Sequence, residues 1–297
     1  MWPFFSNDKL RIAGRFPLEV RYSNEEAPMI KSVQASRWLA LAAACASLLY
    51  AGGALAAKPL RVCADPNYLP YSNRAGQGYE NKVAELVAKS LGRPLQYVWS
   101  SYRQPGGFDN FLALNLDKGK CDVVMDIPYG DPEEMYTRPY YGSTYVFVWK
   151  KSHDYDFDKG LDSPVLRKVH IGFEDGTPPE MGLKMRNLLL GATPFRTAEK
   201  NGDSPASSLR AVQDGKVDVL ITWEPAIGDF MKKFPDLTMA RVPDTNALGS
   251  PERYLFFMSM AVRPKDKALK EQINKVIDSH KGQIAQIMDE YNVRILH

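Results

Sequence analysis

The chain of 297 residues has few of the side chains that build metal centres and catalytic centres. Only four histidines occur, and they are scattered without the spacing of metal ligands, at His153, His170, His280 and His297. The sequence also lacks the Gly-x-Ser-x-Gly turn of a hydrolase and a phosphate-binding glycine loop. We therefore expect a protein that is not an enzyme, with no catalytic residues, no metal and no cofactor.

A large excess of charge of either sign is also absent. The chain carries 38 Lys and Arg against 35 Asp and Glu, a formal net charge of +3. Residues 1–56 hold six of these basic and four of these acidic side chains, so the remaining 297 − 56 = 241 residues carry a net charge of +1. A chain this close to neutral has no strong electrostatic reason to bind nucleic acid, and we expect no such partner.

The N-terminal region contains a pattern typical of a secretory signal peptide. Lys31 and Arg37 form a basic start, an uncharged apolar run follows, and the run ends in the small residues Ala54–Ala56. We predict a signal peptide over residues 29–56, cleavage after Ala56 and export to the periplasm. After cleavage we expect no stable membrane insertion.

Other readings of this N-terminal region remain open. Residues 1–28 precede a signal that has its own methionine, Met29, so we interpret them as a non-native or disordered leader. The uncharged run Trp38–Ala57 is about long enough to span a bilayer and could serve as an uncleaved anchor. Cys45 could be a lipoprotein cysteine, although the apolar run continues past it.

Cysteine is scarce, and removal of the signal peptide leaves only Cys63 and Cys121. In an oxidising compartment an even number of cysteines favours a disulfide. Both residues lie in segments with the composition of strands, which suits a bridge. Two buried free thiols are the alternative.

The order of secondary-structure patterns predicts two α/β lobes built on one plan. Strand patterns alternate with helical patterns up to residue 128, and the alternation starts again after residue 168. This order implies parallel sheets with right-handed crossovers. The related segments GKCDVVMDIPYG (Gly119–Gly130) and GKVDVLITWEPA (Gly215–Ala226) take the place of the third strand in the two lobes.

Two long apolar runs, YTRPYYGSTYVFVWKKS and LFFMSMAVRP, are predicted to cross between the lobes. The first lobe would then comprise residues 57–150 and 255–297, and the second lobe residues 151–254. We predict an α/β fold of two lobes, each a mostly parallel sheet flanked by helices, with two crossings that form a hinge. Ligands of such sheets bind at the carboxyl ends of the strands, which predicts a cleft between the lobes.

Five stretches, LRVCADPNYLPYS, GYENKVAEL, GKCDVVM, TRPYYGSTYVFV and GKVDVLITWEP, resemble the type II periplasmic solute-binding proteins over the whole exported chain. RVCADPNYLP, GYENK, KCDVVM and TRPYYGSTYVFV are most similar to the branch found beside quinoprotein alcohol dehydrogenases, the methanol-oxidation J proteins (MoxJ/XoxJ). The resemblance implies that the first and third strands of lobe 1 lie side by side. It therefore also implies a Cys63–Cys121 bridge between them.

The sequence departs from the amino-acid-binding members of this superfamily at both charged anchors. Those members usually carry an arginine after the third strand of lobe 1, which binds a ligand carboxylate. Here that stretch has Glu133 and Glu134 and no basic residue, and Trp223 replaces the aspartate that would bind a ligand ammonium group. Because unmatched buried charges are costly, the loss of both anchors argues against an amino-acid ligand.

Aromatic side chains lie at or near the predicted strand ends, where the cleft is expected. The candidates are Tyr68, Tyr71, Trp99, Tyr129, Tyr140 and Trp223. Such side chains suit an apolar guest, a sugar or an inserted protein segment, and ordinary core packing is the alternative for part of them. Asp126 and Glu224 follow the two matching strands and could face each other as a carboxylate pair, or simply cap loops.

The branch resemblance implies an accessory protein of a periplasmic PQQ-dependent methanol or alcohol dehydrogenase. Such a protein would assist maturation or activation of the enzyme through the aromatic cleft or a lobe surface. Its expected partners are the dehydrogenase, its c-type cytochrome as a further candidate, and a small apolar ligand. The alternative is an ABC-transporter substrate-binding protein for a small neutral or aromatic solute.

Overall fold

The computed structural model describes residues 57–102, 107–130, 135–196 and 204–296. The predicted leader, the signal peptide and the pair Glu133 and Glu134 lie outside these ranges. Within them, no helix is both long enough and apolar enough to cross a membrane.

The first part of the chain alternates strands and helices as predicted. Its elements are β1 (Leu60–Ala64), β2 (Asn67–Tyr68), β3 (Ser72–Asn73), α1 (Tyr79–Ser90), β4 (Leu95–Trp99), α2 (Gly107–Asn115), β5 (Val123–Pro128), β6 (Met135–Tyr136) and β7 (Tyr141–Lys150). Helix α1 buries Val83, Ala84 and Val87 at helical spacing, which is why it packs on the sheet. Strand β1 pairs in parallel with β4 on one side and with β5 on the other.

The alternation then repeats. The following elements are β8 (Ile171–Glu174), α3 (Pro178–Met185), β9 (Thr193–Phe195), α4 (Pro205–Gln213), β10 (Val219–Trp223), α5 (Glu224–Met231), β11 (Leu237–Arg241), β12 (Leu255–Val262), α6 (Lys267–Ser279) and α7 (Lys281–Glu290), with short 3₁₀ turns at Gly160–Asp162 and Pro164–Arg167. Strand β8 pairs in parallel with β9 and β10. Helix α5 is absent from the sequence-based prediction, because eight residues with a central glycine give too short a pattern.

The two long strands β7 and β12 join the half-sheets, giving the strand order β4-β1-β5-β12-β7-β10-β8-β9. The first part of β7, up to Thr144, pairs with β12, and from Tyr145 onward β7 pairs with β10. The predicted fold class, two α/β lobes with mostly parallel sheets, is confirmed. The lobe boundaries stay a prediction, and from the pairing we propose that the chain enters the second lobe between Thr144 and Tyr145.

The repeated Gly-Lys-x-Asp-Val segment has the same structural role in both lobes. Gly119 and Gly215 have φ of +70° and +73°, a left-handed conformation; Gly215 directly follows the C-cap of α4, and Gly119 closes the turn after α2. The aspartate two residues after the lysine then accepts a hydrogen bond from a neighbouring backbone N–H. Asp122 accepts from Arg61 N at 3.2 Å, and Asp218 accepts from His170 N at 2.7 Å. The shared residues therefore close the turn after a helix and fix a strand against its parallel neighbour.

The predicted disulfide is present, between Cys63 in β1 and Cys121 just before β5. Their Cα atoms are 5.5 Å apart, and both side chains are fully buried. The bridge packs against the apolar side chains of Phe111 and Leu112 in α2 and of Leu116 just after it. It joins two strands that pair directly, as the resemblance implied.

The last residues of the chain, 291–296, form a strap that connects the two lobes. Arg294 Nε donates to Glu224 Oε1 at 2.6 Å, and Asn292 Nδ2 donates to the carbonyl of Gly228 at 3.0 Å. Glu224 and Gly228 belong to α5 of the second lobe. On the other side, the hydroxyl of Tyr291 donates to the carbonyl of Gln77 at 2.5 Å, in the first lobe. We call residues 291–296 the C-terminal strap.

Gly228 is required where the C-terminal strap approaches α5. A Cβ atom at this position would lie 2.7 Å from the carbonyl oxygen of Tyr291 and 2.8 Å from that of Asn292. We expect Gly228→Ala to lower the free energy of unfolding by about 1–3 kcal/mol, because backbone must move to admit the methyl group.

Gly282 in α7 provides a matched control, since a Cβ atom there meets nothing within 4 Å. Gly282→Ala should raise the free energy of unfolding by about 0.5–1 kcal/mol, the usual gain for alanine in a helix. Urea unfolding of the two variants checks both signs. If both substitutions were stabilising, the close contact between α5 and the strap would be wrong.

Candidate functional site

A cavity of about 430 Å³ lies between the lobes, where the carboxyl ends of parallel strands from both sheets meet. We call this cavity the cleft. The described residues that line it are Tyr68, Tyr71, Glu80, Tyr102, Phe108, Met125, Asp126, Pro128, Tyr145, Glu174, Thr177, Pro178, Trp223, Phe256 and Met258. Its size is within the range of small-molecule binding sites.

Four of the eight residues predicted for the site line the cleft: Tyr68, Tyr71, Asp126 and Trp223. Tyr68 and Tyr71 belong to the turn after β1, and their rings stack with centroids 4.5 Å apart. Trp223 ends β10 on the opposite wall, with its ring centroid 5.1 Å from that of Tyr145. The two walls of the cleft therefore each present a pair of aromatic rings.

The other predicted aromatic residues lie elsewhere. Trp99 stacks on Tyr97 at the outer strand β4, where alternation turns the ring away from the cleft. Tyr129 is 53% exposed, because the chain turns outward after β5. Tyr140 is buried and borders a different cavity, next to the last residues of the chain. These three residues do not line the cleft.

The predicted pair Asp126 and Glu224 is not formed. Asp126 lines the cleft, whereas Glu224 begins α5, is fully buried and bonds to Arg294 of the C-terminal strap. Glu224 is the first residue of α5, and its side chain points toward the C-terminal strap, where Arg294 donates to it. Glu224 therefore holds the lobes together and is not opposite Asp126.

Glu80 is the most unusual residue in the cleft, and the sequence-based prediction missed it. It lies in the first turn of α1 and is only 1% exposed. Neither carboxylate oxygen has a hydrogen-bond partner among the described residues. Burial raises the pKa of Glu80 well above its usual value, and the nearby carboxylates of Asp126 and Asp65 raise it further. Its spacing from Val83 and Val87 could have placed it on the buried face of α1.

Asp126 is held at the end of β5 in a left-handed conformation, with φ of +61°. Its carboxylate accepts hydrogen bonds from the hydroxyls of Tyr141 and Tyr79, the second at 3.4 Å. Burial raises the pKa of Tyr79 and of Tyr141, so both hydroxyls stay protonated and donate. Burial also raises the pKa of Asp126 to about 6, and the two tyrosine hydrogen bonds only partly offset this effect.

We expect Asp126→Asn to stabilise the protein at neutral pH. The carboxyl has a pKa near 4 in an unfolded chain and about 6 in the fold, so the folded state binds the proton more tightly. The wild type therefore loses stability as pH rises from 4 to 6, by an amount of roughly 1–3 kcal/mol. Urea unfolding should show the variant more stable by this amount at pH 7 and nearly equal at pH 4. A variant that is less stable at pH 7 would contradict this assignment.

Glu174 brings a third carboxylate to the cleft, from the end of β8 in the second lobe. Its Oε2 accepts from Thr222 Oγ1 at 3.0 Å and from the backbone N–H of Trp223 at 3.4 Å. None of the described residues that line the cleft is Lys, Arg or His. The described lining therefore combines carboxylates on both walls with aromatic rings and lacks a basic counterpart.

Metal chemistry has no obvious site in the described ranges, where no group of three or more His, Cys, Asp or Glu side chains is arranged to hold an ion. In the described part of the chain, Asp126 and Glu80 are bordered by tyrosine hydroxyls and aromatic rings. The arrangement suits recognition of a bound group, through carboxylates, hydroxyls and ring faces.

The sequence and the fold agree with known proteins. The family model of bacterial extracellular solute-binding proteins, family 3, matches residues 60–294. Protein MoxJ of Methylorubrum extorquens is 32% identical over 258 residues, covering 81% of this chain and 84% of that protein.

Two solved structures have the same architecture. MxaJ from Methlophaga aminisulfidivorans MPT superposes with a TM-score of 0.71 at 27% identity, covering 80% of this chain and all of that one. The periplasmic binding protein XoxJ from Methylobacterium extorquens AM1 superposes with a TM-score of 0.61 at 31% identity, covering 80% of this chain and 99% of that one. The chain belongs to the bacterial extracellular solute-binding proteins of family 3 and is a type II periplasmic binding protein of the MoxJ-like branch.

Proposed function

We propose that this protein is a periplasmic accessory protein of a PQQ-dependent methanol or alcohol dehydrogenase. It would bind the enzyme and assist its maturation or activation, as the branch resemblance implies. The observation that carries the proposal is the 32% identity to Protein MoxJ over 81% of the chain. The sequence of residues 29–56 has the pattern of an export signal, which agrees with the periplasmic location implied by the family.

The cleft supports binding as a role of this protein. Asp126 and Glu224 do not share a site, and the carboxylates in the cleft have no described nucleophile beside them. Instead, aromatic rings on both walls offer contact area for an inserted group. Tyr and Trp side chains of this kind often dominate the affinity of protein interfaces.

The C-terminal strap gives separate support for a protein partner. A receptor that releases its solute to a permease opens and closes its lobes. Here the ion pair between Arg294 and Glu224, and the bond from Asn292 to Gly228, connect the last residues to α5. These contacts would have to break during a large opening, so the strap favours a frame of fixed shape.

The proposal is tested by reconstitution of a purified dehydrogenase with its cofactor and metal, with and without this protein. We expect the protein to raise the yield of active enzyme. Trp223→Ala should reduce this effect, because Trp223 lines the cleft, whereas Trp99→Ala should not, because Trp99 lies outside it. Circular dichroism establishes that both variants are folded.

Two outcomes would contradict the proposal. An unchanged yield, together with no complex at micromolar concentration with either the dehydrogenase or its c-type cytochrome, would exclude the accessory role. A tight complex with a neutral solute and none with the enzyme would point to a transport receptor instead. If Trp223→Ala and Trp99→Ala reduced the yield of active enzyme equally, the accessory role would stand. The contact with the dehydrogenase would then be assigned to a lobe surface and not to the cleft.

A further inference from the structure

We propose that the cleft binds a small organic cation, an alkylammonium group attached to an apolar or aromatic body and carrying no carboxylate. This inference concerns the same cleft but goes beyond the accessory role, and it does not depend on any dehydrogenase. It rests on an orphaned buried carboxylate, on carboxylates in both walls and on the aromatic rings between them.

The orphaned carboxylate is that of Glu80. It is 1% exposed, lines the cleft, and has neither oxygen bonded to a described residue. A buried acceptor without a donor is unfavourable by about 1–3 kcal/mol, and more if it is charged. A ligand that brings N–H donors and a positive charge would remove this penalty.

Among the described residues, no cation acts on Glu80. The described titratable groups that act on it are Asp65 after β1, Asp126 at the end of β5, and the phenols Tyr79, Tyr97, Tyr102 and Tyr140. Every one of these groups is an acid. A positively charged ligand would therefore complement the acidic groups around Glu80.

The second wall also presents a carboxylate to the cleft. Glu174 lies at the end of β8, and its contacts to Thr222 and Trp223 hold the carboxylate at the lining of the cleft. A zwitterion would bring its own carboxylate between Glu80 and Glu174, which the described lining cannot pair with a basic side chain. The geometry therefore favours a cation without an acid group.

The aromatic rings complete the site. Tyr68 and Tyr71 stack on one wall, and Tyr145 lies against Trp223 on the other. Cations bind to the faces of Trp and Tyr rings, and the attraction grows when water is excluded. The same rings accept the apolar body of the ligand.

The test is isothermal titration of the exported chain with three ligands of one shape: 2-phenylethylammonium, 2-phenylethanol and phenylalanine. We expect the cation to bind roughly tenfold or more tightly than the alcohol and the zwitterion. Pentylammonium, pentanol and norleucine repeat the comparison with an aliphatic body. Equal binding of cation and alcohol would overturn the proposal, as would no binding of either cation at millimolar concentration.

Glu80→Gln keeps the shape of the side chain and removes its charge. It should weaken cation binding by roughly tenfold or more and leave alcohol binding unchanged. Glu85→Gln is the control, because Glu85 is exposed on the same helix and its ion pair among the described residues is with Lys82. If Glu80→Gln does not fold, Glu174→Gln replaces it with the same expectation. Equal affinity of these variants and the wild type for the cation would contradict the site.

A second readout follows from the raised pKa of Glu80. A bound cation favours its ionised form, so binding should release a proton to the buffer. Titrations in phosphate and in Tris at pH 7.5 should therefore give different apparent enthalpies for 2-phenylethylammonium, and the difference should vanish in Glu80→Gln. The same enthalpy in both buffers for the wild type would contradict the role of Glu80.

The side chain of a lysine residue in a partner protein ends in the same alkylammonium group. The blocked peptide acetyl-Gly-Gly-Lys-Gly-Gly-amide is therefore titrated in parallel. Binding of the free ammonium ions without the peptide identifies a free solute as the source, and tighter binding of the peptide identifies a protein segment. Both results support a site for an organic cation, and failure of both leaves the accessory role of the protein untouched.

Discussion

Replacing Asp122 by asparagine is expected to lower the free energy of unfolding by about 3 kcal/mol, because the change removes the buried carboxylate that half-buried Arg61 and buried Arg263 share. Asp122 is 3% exposed. It accepts from Arg61 Nη2 at 2.6 Å and from Arg263 Nη2 at 3.1 Å, and Arg93 lies 3.6 Å away. Burial opposes ionisation of Asp122, but the hydrogen bonds from Arg61 and Arg263 outweigh it and lower its pKa to about 2.

The pH dependence of this effect has the opposite sign to that of Asp126. A carboxyl with a lowered pKa stabilises the fold above its unfolded pKa near 4, and this contribution is lost as pH falls toward 2. Urea unfolding at pH 7 and at pH 3 should show a large difference between wild type and Asp122→Asn at pH 7 and a smaller one at pH 3.

Asp218 provides the matched control for Asp122, since it has the same place in the repeated segment of the second lobe. Its carboxylate accepts from the backbone N–H of His170 at 2.7 Å. Asp218→Asn should therefore lower the free energy of unfolding by only about 1 kcal/mol, the value of one hydrogen bond. Equal losses in the two variants would show that the arginines around Asp122 do not matter.

Removal of the disulfide is expected to lower the free energy of unfolding by about 4 kcal/mol. The bridge closes a loop with a sequence separation of 58 residues, and opening such a loop returns conformational entropy to the unfolded chain. The double variant Cys63→Ala, Cys121→Ala should therefore unfold at much lower urea concentration than the oxidised wild type.

The reduced wild type is the control for the disulfide prediction. It keeps both sulfur atoms in the core, so its stability should fall almost as far as that of the double variant. Intact mass with and without reductant should show the bridge in the native protein. Two freely alkylated thiols, or a loss below about 1 kcal/mol, would contradict the structural role of the bridge.

The fold could be predicted because its signals are local. Gly119 and Gly215 close the turns that follow helices, and Asp122 and Asp218 fix the strands that come next, so the same two residue types mark both lobes. Apolar runs without alternation indicated buried parallel strands. Helix α5 was missed, because its eight residues with a central glycine give too short a pattern, and the contact that requires Gly228 is made with the distant C-terminal strap.

The site could be predicted only in part. Tyr68, Tyr71, Asp126 and Trp223 follow strands whose carboxyl ends meet at the cleft. Other lining residues depend on tertiary geometry: Tyr145 and Phe256 lie on the crossing strands, and Glu80 projects from a helix. Trp99 was also predicted to lie in the cleft because it ends a strand. Its ring instead stacks on Tyr97 at the outer strand β4 and does not line the cleft.

The carboxylates Asp122 and Glu80 differ in what they contribute to the molecule. Asp122 is surrounded by arginines and stabilises the fold. Glu80 is buried and Asp126 is half-buried, both have raised pKa values and neither has a basic partner among the described residues, so their ionised forms are unfavourable in the free protein. Ionisable groups with strongly shifted pKa values are typical of functional sites.

The accessory role is tested most directly by the affinity of the purified protein for its dehydrogenase. Immobilised wild-type protein is titrated with the dehydrogenase, in its cofactor-free and its loaded form, at physiological salt concentration. We predict a complex with a dissociation constant of about 10 μM or tighter, weakened by Trp223→Ala and not by Trp99→Ala. No complex with either form at about 100 μM would contradict the proposed role.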